Sequence, residues 1–353
     1  MIKSLQDFNL GNKRIIVRCD FNVPLDQTGN ILDDFRIKET IPTIEYLLQE
    51  DAKIILISHL DSPSGQIRED LRLSVVGNRL VELLGQEVKK LPDCIGKEVE
   101  NAVGTMEPRD ILLLENLRFH KEEEENDLGF AKSLAKLGDI YVNDAFGVCH
   151  RAHSSIAGVP KFLPSCAGML LQKEVEHLDK LLQGIEKPFV LIVGGKKVAT
   201  KTRLLNKFSE AAEWILIAHL MEAEIKQTGL KMSHPERAVF PIDGIDEGGK
   251  TLDIGPKTTG LFRGKILLAK TILWNGPVGM IERAEFMGGT KAIAQAIIDS
   301  KAYSVAGGGE TAAFLNEQGL ADKFSHVSTG GGAMLAYLSG EKLPGLEALR
   351  SPD

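Results

Sequence analysis

The chain has 353 residues, of which 43% are hydrophobic and 26% are charged, and its formal net charge is -7. A chain of this length can bury large cores and is expected to form two domains. The acidic balance argues against nucleic acid or an anionic membrane as a partner, since both bind basic surfaces. No apolar run reaches the length of a signal peptide or a membrane span, so a cytoplasmic location is expected.

The first half of the chain alternates short apolar runs with helical patterns. Runs of β-branched residues predict strands, and a period of 3.6 residues predicts helices. The predicted strands are 14–19, 53–58, 111–114 and 140–142, and the predicted helices are 38–49, 71–84 and 128–136. Strands that alternate with helices are typical of a parallel α/β sheet. The four cysteines have no Cys-x-x-Cys spacing, which predicts free buried thiols.

The second half repeats this alternation after a passage rich in glycine and proline. A long helix is predicted at 168–183, and strands are predicted at 189–193, 214–218, 266–269, 303–306 and 326–328. The polar stretch 227–250 contains only one strand-like segment, 238–240. The pattern therefore predicts two α/β domains, 1–167 and 186–335, connected by a linker helix at 168–185, with the segment 336–353 following them.

Two glycine triplets each follow a predicted strand and precede a helical pattern. They are 307–309 and 330–332. Glycine lets a ligand approach the backbone amides, while a helix N-terminus adds free N–H donors and a partial positive charge. After the first triplet, Glu310 can hold a metal ion and Thr311 can donate a hydroxyl. The pattern predicts phosphate binding, and two tight turns without a ligand are the alternative.

Arginine and histidine gather where the predicted strands of the first half end. Because the carboxyl ends of parallel strands lie along one edge, these side chains should converge. Guanidinium and imidazole groups suit a small phosphorylated carboxylic acid. The residues are Arg18, Arg36, His59, Arg118, His150, Arg151 and His153, beside Asp20, Asn22 and Asn116. For any one of these residues, a surface ion pair or a capped loop remains the alternative. The acidic segment 122–125, which is a separate feature, is interpreted as a solvated face.

Six segments of the chain resemble motifs of the phosphoglycerate kinase family, in the family's order. They cover both halves: 17–24, 113–119, 141–147, 274–279, 307–311 and 325–332. The resemblance implies two Rossmann-like lobes with parallel sheets flanked by helices, joined by a linker helix and a hinge. The first lobe would bind 3-phosphoglycerate and the second MgADP or MgATP. The segment 336–353 would return to the first lobe, and a monomer is expected.

The activity implied by this resemblance is reversible phosphoryl transfer between 1,3-bisphosphoglycerate and MgADP, giving 3-phosphoglycerate and MgATP. Mg²⁺ would be the cofactor and ATP or ADP the co-substrate. The acceptor is a carboxylate, which is already ionised at neutral pH, so no general base is needed. Catalysis would consist of positioning and charge neutralisation by Arg36 from one lobe and Lys197 from the other.

The resemblance also implies roles for individual residues. The phosphoglycerate contacts would be Asp20, Phe21, Asn22, Arg36, His59, Leu60, Arg118, His150, Arg151 and His153. The nucleotide contacts would be Lys197, Lys201, Asn275, Pro277, Glu282, Gly307, Gly308, Gly309, Glu310 and Thr311, with Glu310 also the magnesium ligand. The catalytic set would be Arg36, Lys197, Gly308 and Gly331.

The chain departs from the family pattern mainly beside the nucleotide. Thr200 and Glu310 stand where aspartates are usual, and a bulky segment, 218–222, replaces a glycine-rich loop beside the adenine. The segment 226–251 is shorter than in the family, and Thr251 stands at a usual glycine. In the first lobe, Asp61 and Ser62 replace a glycine and a substrate-binding arginine. Two hypotheses follow: a kinase with altered nucleotide preference, or a phosphoglycerate-binding protein that has lost turnover.

Two further site classes have partial sequence support. The segment 244–251 matches the pattern GxxxxGK followed by threonine, which is typical of a P-loop, although carboxylates lie within it. Cys149, His150 and His153 could bind a soft metal, although three ligands from one loop make a poor closed site. Both alternatives depend on the local fold.

Overall fold

The structure, a computed structural model, describes residues 2–195, 198–229 and 231–350, with the backbone alone at 198–200. It divides into two compact units, residues 1–175 with 342–353, and residues 176–341. The predicted domain limits at 167 and 335 stay predictions. No helix in the described part of the chain is long and apolar enough to cross a membrane.

A six-stranded parallel sheet forms the centre of the first unit. In chain order its strands are β1 (Arg14–Arg18), β2 (Lys53–Ile57), β3 (Lys89–Lys90), β4 (Ile111–Leu113), β5 (Ile140–Asn143) and β6 (Ser165–Ala167). They lie in the order β3-β4-β2-β1-β5-β6. Because helices cover both faces, the central strands are almost continuously apolar and buried.

Helices cover the sheet of the first unit. They are α1 (Phe35–Gln49), α2 (Ser74–Leu84), α3 (Lys97–Gly104), α4 (Lys121–Glu124) and α5 (Leu128–Ala135), with a short helix Pro344–Glu347 near the C-terminus. The helix α6 (Met169–Gln183) begins in this unit and continues into the second, which starts at residue 176. In α1 the buried Ile37, Ile44 and Leu47 recur on one face and join the core cluster that includes Val17 and Leu56. This packing fixes where the loops after the strands lie.

The second unit contains another six-stranded parallel sheet. Its strands are β7 (Phe189–Val193), β8 (Trp214–Ile217), β9 (Ala238–Val239), β12 (Thr271–Asn275), β13 (Tyr303–Gly307) and β14 (His326–Val327), in the order β14-β13-β12-β7-β8-β9; the strands β10 (Gly244–Glu247) and β11 (Lys250–Ile254) form a separate antiparallel pair. The helices are α7 (Val198–Ser209), α8 (His219–Thr228), α9 (Pro256–Ile266), α10 (Gly288–Ser300), α11 (Gly309–Glu317) and α12 (Gly332–Leu338). The predicted α/β fold class is therefore confirmed.

One predicted strand was wrong, because 266–269 is not a strand. Ile266 is the last residue of α9, and the strand of this region begins at Thr271. Phe262 and Ile266 are both buried on the same face of α9, four residues apart. A short apolar run cannot by itself distinguish a buried helix end from a strand.

The end of the polar stretch 227–250, where the sequence showed no strand-like segment after 240, forms a hairpin with the residues that follow it. Glu247 in β10 pairs with Lys250 in β11, so the turn consists of Gly248 and Gly249. Both have positive φ, 59° and 75°, as a tight two-residue hairpin turn requires. The P-loop interpretation of 244–251 is therefore wrong, because these glycines join two antiparallel strands rather than a strand and a helix.

Candidate active site

The first cluster of predicted site residues lies where β1, β2 and β5 end. Arg18 at the end of β1 pairs in register with Ile57 of β2 and with Asn143 of β5. The three strands therefore end at the same level, and the loops that follow them meet. This is the edge at which ligands bind in open parallel α/β sheets.

Arg36, in the first turn of α1, is held by the loop after β1. Its Nη1 lies 3.2 Å from Asp20 Oδ2 and donates to the Asn22 carbonyl oxygen at 2.9 Å. The side chain is 27% exposed, and its Nε and Nη2 have no partner within the described chain. Arg36 is thus oriented through one nitrogen, while the others remain available to an anion.

The loop after β2 connects Arg118, a further arginine of this cluster, to Asn22. The backbone N–H of Asp61 donates to Asn22 Oδ1 at 2.8 Å, and the Asp61 carbonyl accepts from Arg118 Nη1 at 2.7 Å. Arg118 Nε also lies 3.3 Å from Glu124 Oε1. Burial lowers the pKa of Arg118. Although Asp61 adds a negative charge, its backbone positions two predicted substrate contacts.

His59 and His153 are buried, and their surroundings favour the neutral imidazole. Burial lowers the pKa of His59 well below 6.5, and the charges of Arg18 and Arg118 lower it further. Burial also lowers the pKa of His153 to about 3, with contributions from Arg118, Arg18 and Arg151. A bound anion would counteract these positive charges, so the cluster is suited to an anionic ligand.

A buried carboxylate that the sequence analysis missed lies among these cations. Glu123 is fully buried, its Oε1 is 3.9 Å from both Arg18 Nη2 and His153 Nδ1, and it accepts hydrogen bonds from Ser155. Arg18 Nε donates to Ser155 Oγ at 2.8 Å. The interpretation of 122–125 as a solvated face was therefore wrong at Glu123. Burial raises the pKa of this carboxyl.

The remaining predicted contacts of this unit differ in exposure. The side chains of Phe21 and Leu60 are buried in the core, so only their backbones can reach a ligand. Arg151 is exposed and His150 is partly buried. The thiol of Cys149 donates to the Ala145 carbonyl at 3.4 Å. Cys149, His150 and His153 are not brought together as metal ligands, which argues against the soft-metal alternative.

Acidification is expected to destabilise the first unit through His153. Its pKa is about 3 in the folded protein, against an ordinary value of 6.5. The unfolded chain therefore binds the extra proton between these values, and stability falls as the pH drops below 6.5. Urea unfolding followed by far-UV circular dichroism at neutral pH and at about pH 5 measures this loss. A His153→Gln variant should lose less stability than the parent protein over this pH range. Equal losses of stability in the two proteins would contradict the assignment of the effect to His153.

The second cluster lies where β7, β12 and β13 end. Asn275 at the end of β12 pairs in register with Val193 of β7 and with Gly307 of β13. The side chain of Asn275 is buried and donates from Nδ2 to the Gly307 carbonyl at 3.1 Å. The backbone N–H of Gly194 donates to the Asn275 carbonyl at 3.0 Å. Asn275 thus joins the three loops at this edge.

Lys201 and Glu310 approach each other beside the loop after β7. A methyl group added to Gly195 would lie 3.2 Å from Lys201 Nζ and 3.6 Å from Glu310 Oε2. Lys201 is buried and donates to the Gly194 carbonyl. Burial lowers the pKa of Lys201 to about 8, and Glu310 partly opposes this effect. Only glycine leaves this space open at position 195.

The two glycine triplets open helices that lack side-chain caps. Gly308 precedes α11 and Gly331 precedes α12, and neither N-cap position makes a side-chain hydrogen bond. Gly308 has φ 97° and Gly331 has φ 45°. Thr311 Oγ1 accepts from the Gly276 N–H at 3.1 Å. Helix N-termini without caps at a sheet edge can bind phosphate oxygens.

The structure describes the other predicted nucleotide contacts only in part. Pro277 accepts from the Gly195 N–H at 2.8 Å, and Glu282 is exposed in the loop that follows. Lys197 lies outside the described residues, as does the side chain of Thr200. The carboxylate of Glu310 is exposed beside the N-terminus of α11, so a hard oxygen donor is present where Mg²⁺ would be held.

The segment beside the predicted adenine position is helical. Ala218 precedes α8, and His219 Nε2 lies 2.9 Å from the Asp243 carbonyl oxygen, next to the hairpin. Glu222 is 17% exposed and pairs with Lys226 at 2.6 Å. Its charge is therefore balanced within α8.

Comparison with known proteins gives a consistent result over the whole chain. The family profile described as phosphoglycerate kinase matches residues 5–237 and 223–341. The phosphoglycerate kinases of Dictyoglomus turgidum and Moorella thermoacetica are 45% and 43% identical, covering 99% and 98% of this chain and 98% of each relative. The solved phosphoglycerate kinase of Pyrococcus horikoshii OT3 has a TM-score of 0.89 at 31% identity, covering 99% of this chain and 98% of that chain. That of Coxiella burnetii has a TM-score of 0.80 at 33% identity, covering 99% of both chains.

The fold and the two clusters define a two-unit α/β protein of the phosphotransferase class. The chain belongs to the phosphoglycerate kinase family, and this membership supports a glycolytic phosphotransfer function. The alignment with the Dictyoglomus relative spans 391 positions, against 353 residues in this chain. The relative therefore has segments that this chain lacks.

Proposed function

We propose that this protein is an active phosphoglycerate kinase, which transfers a phosphoryl group reversibly between 1,3-bisphosphoglycerate and MgADP. The observation that carries the proposal is the cationic cluster of the first unit. There, Arg36 is fixed through Nη1 but retains Nε and Nη2 without a partner in the described chain. Such an arrangement binds a carboxylate or phosphate group and keeps it in place.

The chain's own residues account for the main needs of the reaction. Arg36 and Arg118 would bind and orient 3-phosphoglycerate, while the lowered pKa values of His59 and His153 favour neutral imidazoles, each with one ring N–H, at neutral pH. Lys201 would neutralise charge on the nucleotide phosphates, and the backbone N–H groups at the start of α11 would donate to them. Glu310 would hold Mg²⁺, and the bound ion would offset negative charge on the phosphate oxygens. Domain closure and the role of Lys197 belong to the same proposal.

The location and assembly of the protein are part of this proposal. We expect a cytoplasmic monomer whose ligands are small phosphorylated molecules rather than nucleic acid or membranes. The net charge of -7 supports this, because it disfavours polyanionic surfaces.

The proposal is tested by calorimetric titration with 3-phosphoglycerate and, separately, with MgADP and MgATP, followed by a coupled assay of 1,3-bisphosphoglycerate formation. Binding of both ligands with turnover supports the kinase. The altered first turn of α8, where His219 contacts the hairpin, favours a second candidate: a phosphoglycerate-binding protein without turnover. Binding of 3-phosphoglycerate with no turnover from any nucleoside triphosphate would establish that candidate instead.

Nucleotide affinity is expected to weaken as the pH rises above about 8. The pKa of Lys201 is lowered to about 8, so the ammonium group is charged below this value and becomes neutral above it. Phosphate oxygens bind the charged form more strongly, which makes the affinity for MgADP highest at lower pH. Calorimetry at neutral and alkaline pH measures the change. A Lys201→Met variant should bind MgADP weakly at both pH values. If the affinity of this variant kept the same pH dependence as that of the parent, the assignment of the effect to Lys201 would be contradicted.

A further inference from the structure

A thiol, an imidazole and a carboxylate meet in the first unit, outside the two clusters described above. Asp93 and Cys94 lie in the loop between β3 and α3, and His120 directly precedes α4. Each offers one ligand atom, and these atoms all lie within 4.8 Å of one another. His120 Nε2 is 2.7 Å from Asp93 Oδ1. Two separate loops therefore bring three metal-binding side chains together.

Backbone hydrogen bonds hold both loops in place. The N–H of Leu91 donates to the Leu113 carbonyl at 2.9 Å, and the N–H of Glu115 donates to the Asp93 carbonyl at 3.3 Å. The ring of His120 lies with its centroid 5.2 Å from that of Phe130. The donor atoms are thus positioned by the sheet edge and by packing, which lowers the cost of ordering them around an ion.

The exposure of the three side chains differs in a way that suits a bound ion. Cys94 is fully buried, whereas the side chains of Asp93 and His120 are 51% and 27% exposed. Asp93 and His120 therefore form the solvent side of the group, and the buried sulfur lies within 4.8 Å of their ligand atoms. Cys19 and Cys149, in contrast, donate their thiols to backbone carbonyls. Cys94 instead lies beside a carboxylate and an imidazole.

We propose that Asp93, Cys94 and His120 form a binding site for Zn²⁺, with water as the fourth ligand. Sulfur, imidazole nitrogen and carboxylate oxygen are the donors that Zn²⁺ takes in proteins, and three protein ligands with one open position are common. On binding, the Cys94 thiol loses its proton to solvent and the thiolate bonds to the metal; His120 Nε2 gives up the hydrogen that it directs at Asp93 Oδ1, the ring keeps its one hydrogen on Nδ1, and the freed Nε2 lone pair bonds to the metal. The exposed Asp93 carboxylate moves away from His120, so that the distance between Asp93 Oδ1 and His120 Nε2 increases from 2.7 Å to roughly 3.4 Å. This is the spacing of two ligand atoms around tetrahedral zinc.

Titration of the full-length protein with Co²⁺, in the presence of excess Mg²⁺, tests the site. Cobalt bound to a thiolate gives a sulfur-to-metal charge-transfer band, which oxygen ligands elsewhere, including Glu310, do not produce. We expect a band that saturates at one Co²⁺ per chain and is displaced by Zn²⁺. The Cys94→Ser variant should lose the band. His120→Asn and Asp93→Asn should weaken the affinity by about 10- to 100-fold or more.

His234→Gln is the matched control. His234 Nδ1 lies 3.0 Å from Glu236 Oε1, so this is another histidine–carboxylate pair, but it belongs to the second unit and is not part of the Asp93, Cys94 and His120 group. Its removal should leave the titration unchanged. The proposal is overturned if no band appears in the parent protein, or if the band persists in Cys94→Ser. The two surface variants give a second test should Cys94→Ser not fold, and no readout depends on phosphoryl transfer.

Discussion

Replacing Arg36 with alanine is expected to lower kcat by about 10³-fold or more, the range found when a charge-stabilising arginine is removed from phosphoryl transfer. The guanidinium is fixed by Asp20 and by the Asn22 carbonyl, so the variant loses a positioned cation and not merely a flexible one. Asp20 is 4% exposed and would lose its ion-pair partner, so any loss of fold stability is measured separately from the loss of rate. The coupled assay gives kcat and KM for 3-phosphoglycerate, and thermal unfolding checks the fold.

Two further variants test whether a loss of kcat is specific to the Arg36 guanidinium group. Arg79→Ala is the matched control: Arg79 is 32% exposed and pairs with Asp34 at 2.7 Å, but it is not a predicted ligand contact. Its kcat should equal that of the parent. Arg36→Lys keeps the charge but loses the planar fork, so it should recover only part of the rate. An alanine variant of Arg36 within about tenfold of the parent would contradict the catalytic assignment.

Replacing Glu123 with alanine is expected to reduce the free energy of unfolding of the first unit by about 3–5 kcal/mol. The loss follows because Arg18, 3.9 Å away and also fully buried, would keep its charge without a counter-ion. The Ser155 N–H and hydroxyl would also lose their acceptor. Urea unfolding followed by far-UV circular dichroism measures this effect. Tryptophan fluorescence is unsuitable, because Trp214 and Trp274 both lie in the second unit.

The neighbouring residue provides a close control for this prediction. Glu124 also contacts an arginine, Arg118, at 3.3 Å, but its side chain is 34% exposed. Arg118 is only 4% exposed, but it keeps its hydrogen bond to the Asp61 carbonyl after this substitution, so Glu124→Ala should cost less than Glu123→Ala. If Glu123→Ala costs no more than Glu124→Ala, the buried ion pair does not stabilise the unit as described.

The positions of the main ligand-facing loops could be predicted from local patterns. Strand ends are marked by a change from apolar to polar residues, and parallel strands place their carboxyl ends at one edge. This is why Arg36, His59 and Arg118 were expected together: Arg36 and Arg118 are connected through Asp20, Asn22 and the Asp61 backbone, and His59 Nδ1 lies 3.4 Å from Arg18 Nη2 in the same cluster. The family and the α/β fold were likewise predictable, since long motifs cover both halves.

Features that depend on burial or on contacts distant in sequence could not be predicted in the same way. Glu123 lies within a run of four glutamates, and only the packing of Ser155 and Arg18 around it shows that it is buried. The strand misplaced at 266–269 and the hairpin turn at Gly248 and Gly249 have the same origin, because short segments take their conformation from their partners.

The sequence by itself determined the fold class, the family and the loops that carry the arginines, histidines and glycine triplets. Their signals are local: the period of the apolar residues, the turn residues and the motifs. Only the tertiary structure decided which ionisable groups are buried and which distant side chains meet, as Asp93 and His120 do. The physical reason is that solvation and proximity are properties of the packed chain, and these set the protonation state and the ligands a site can hold.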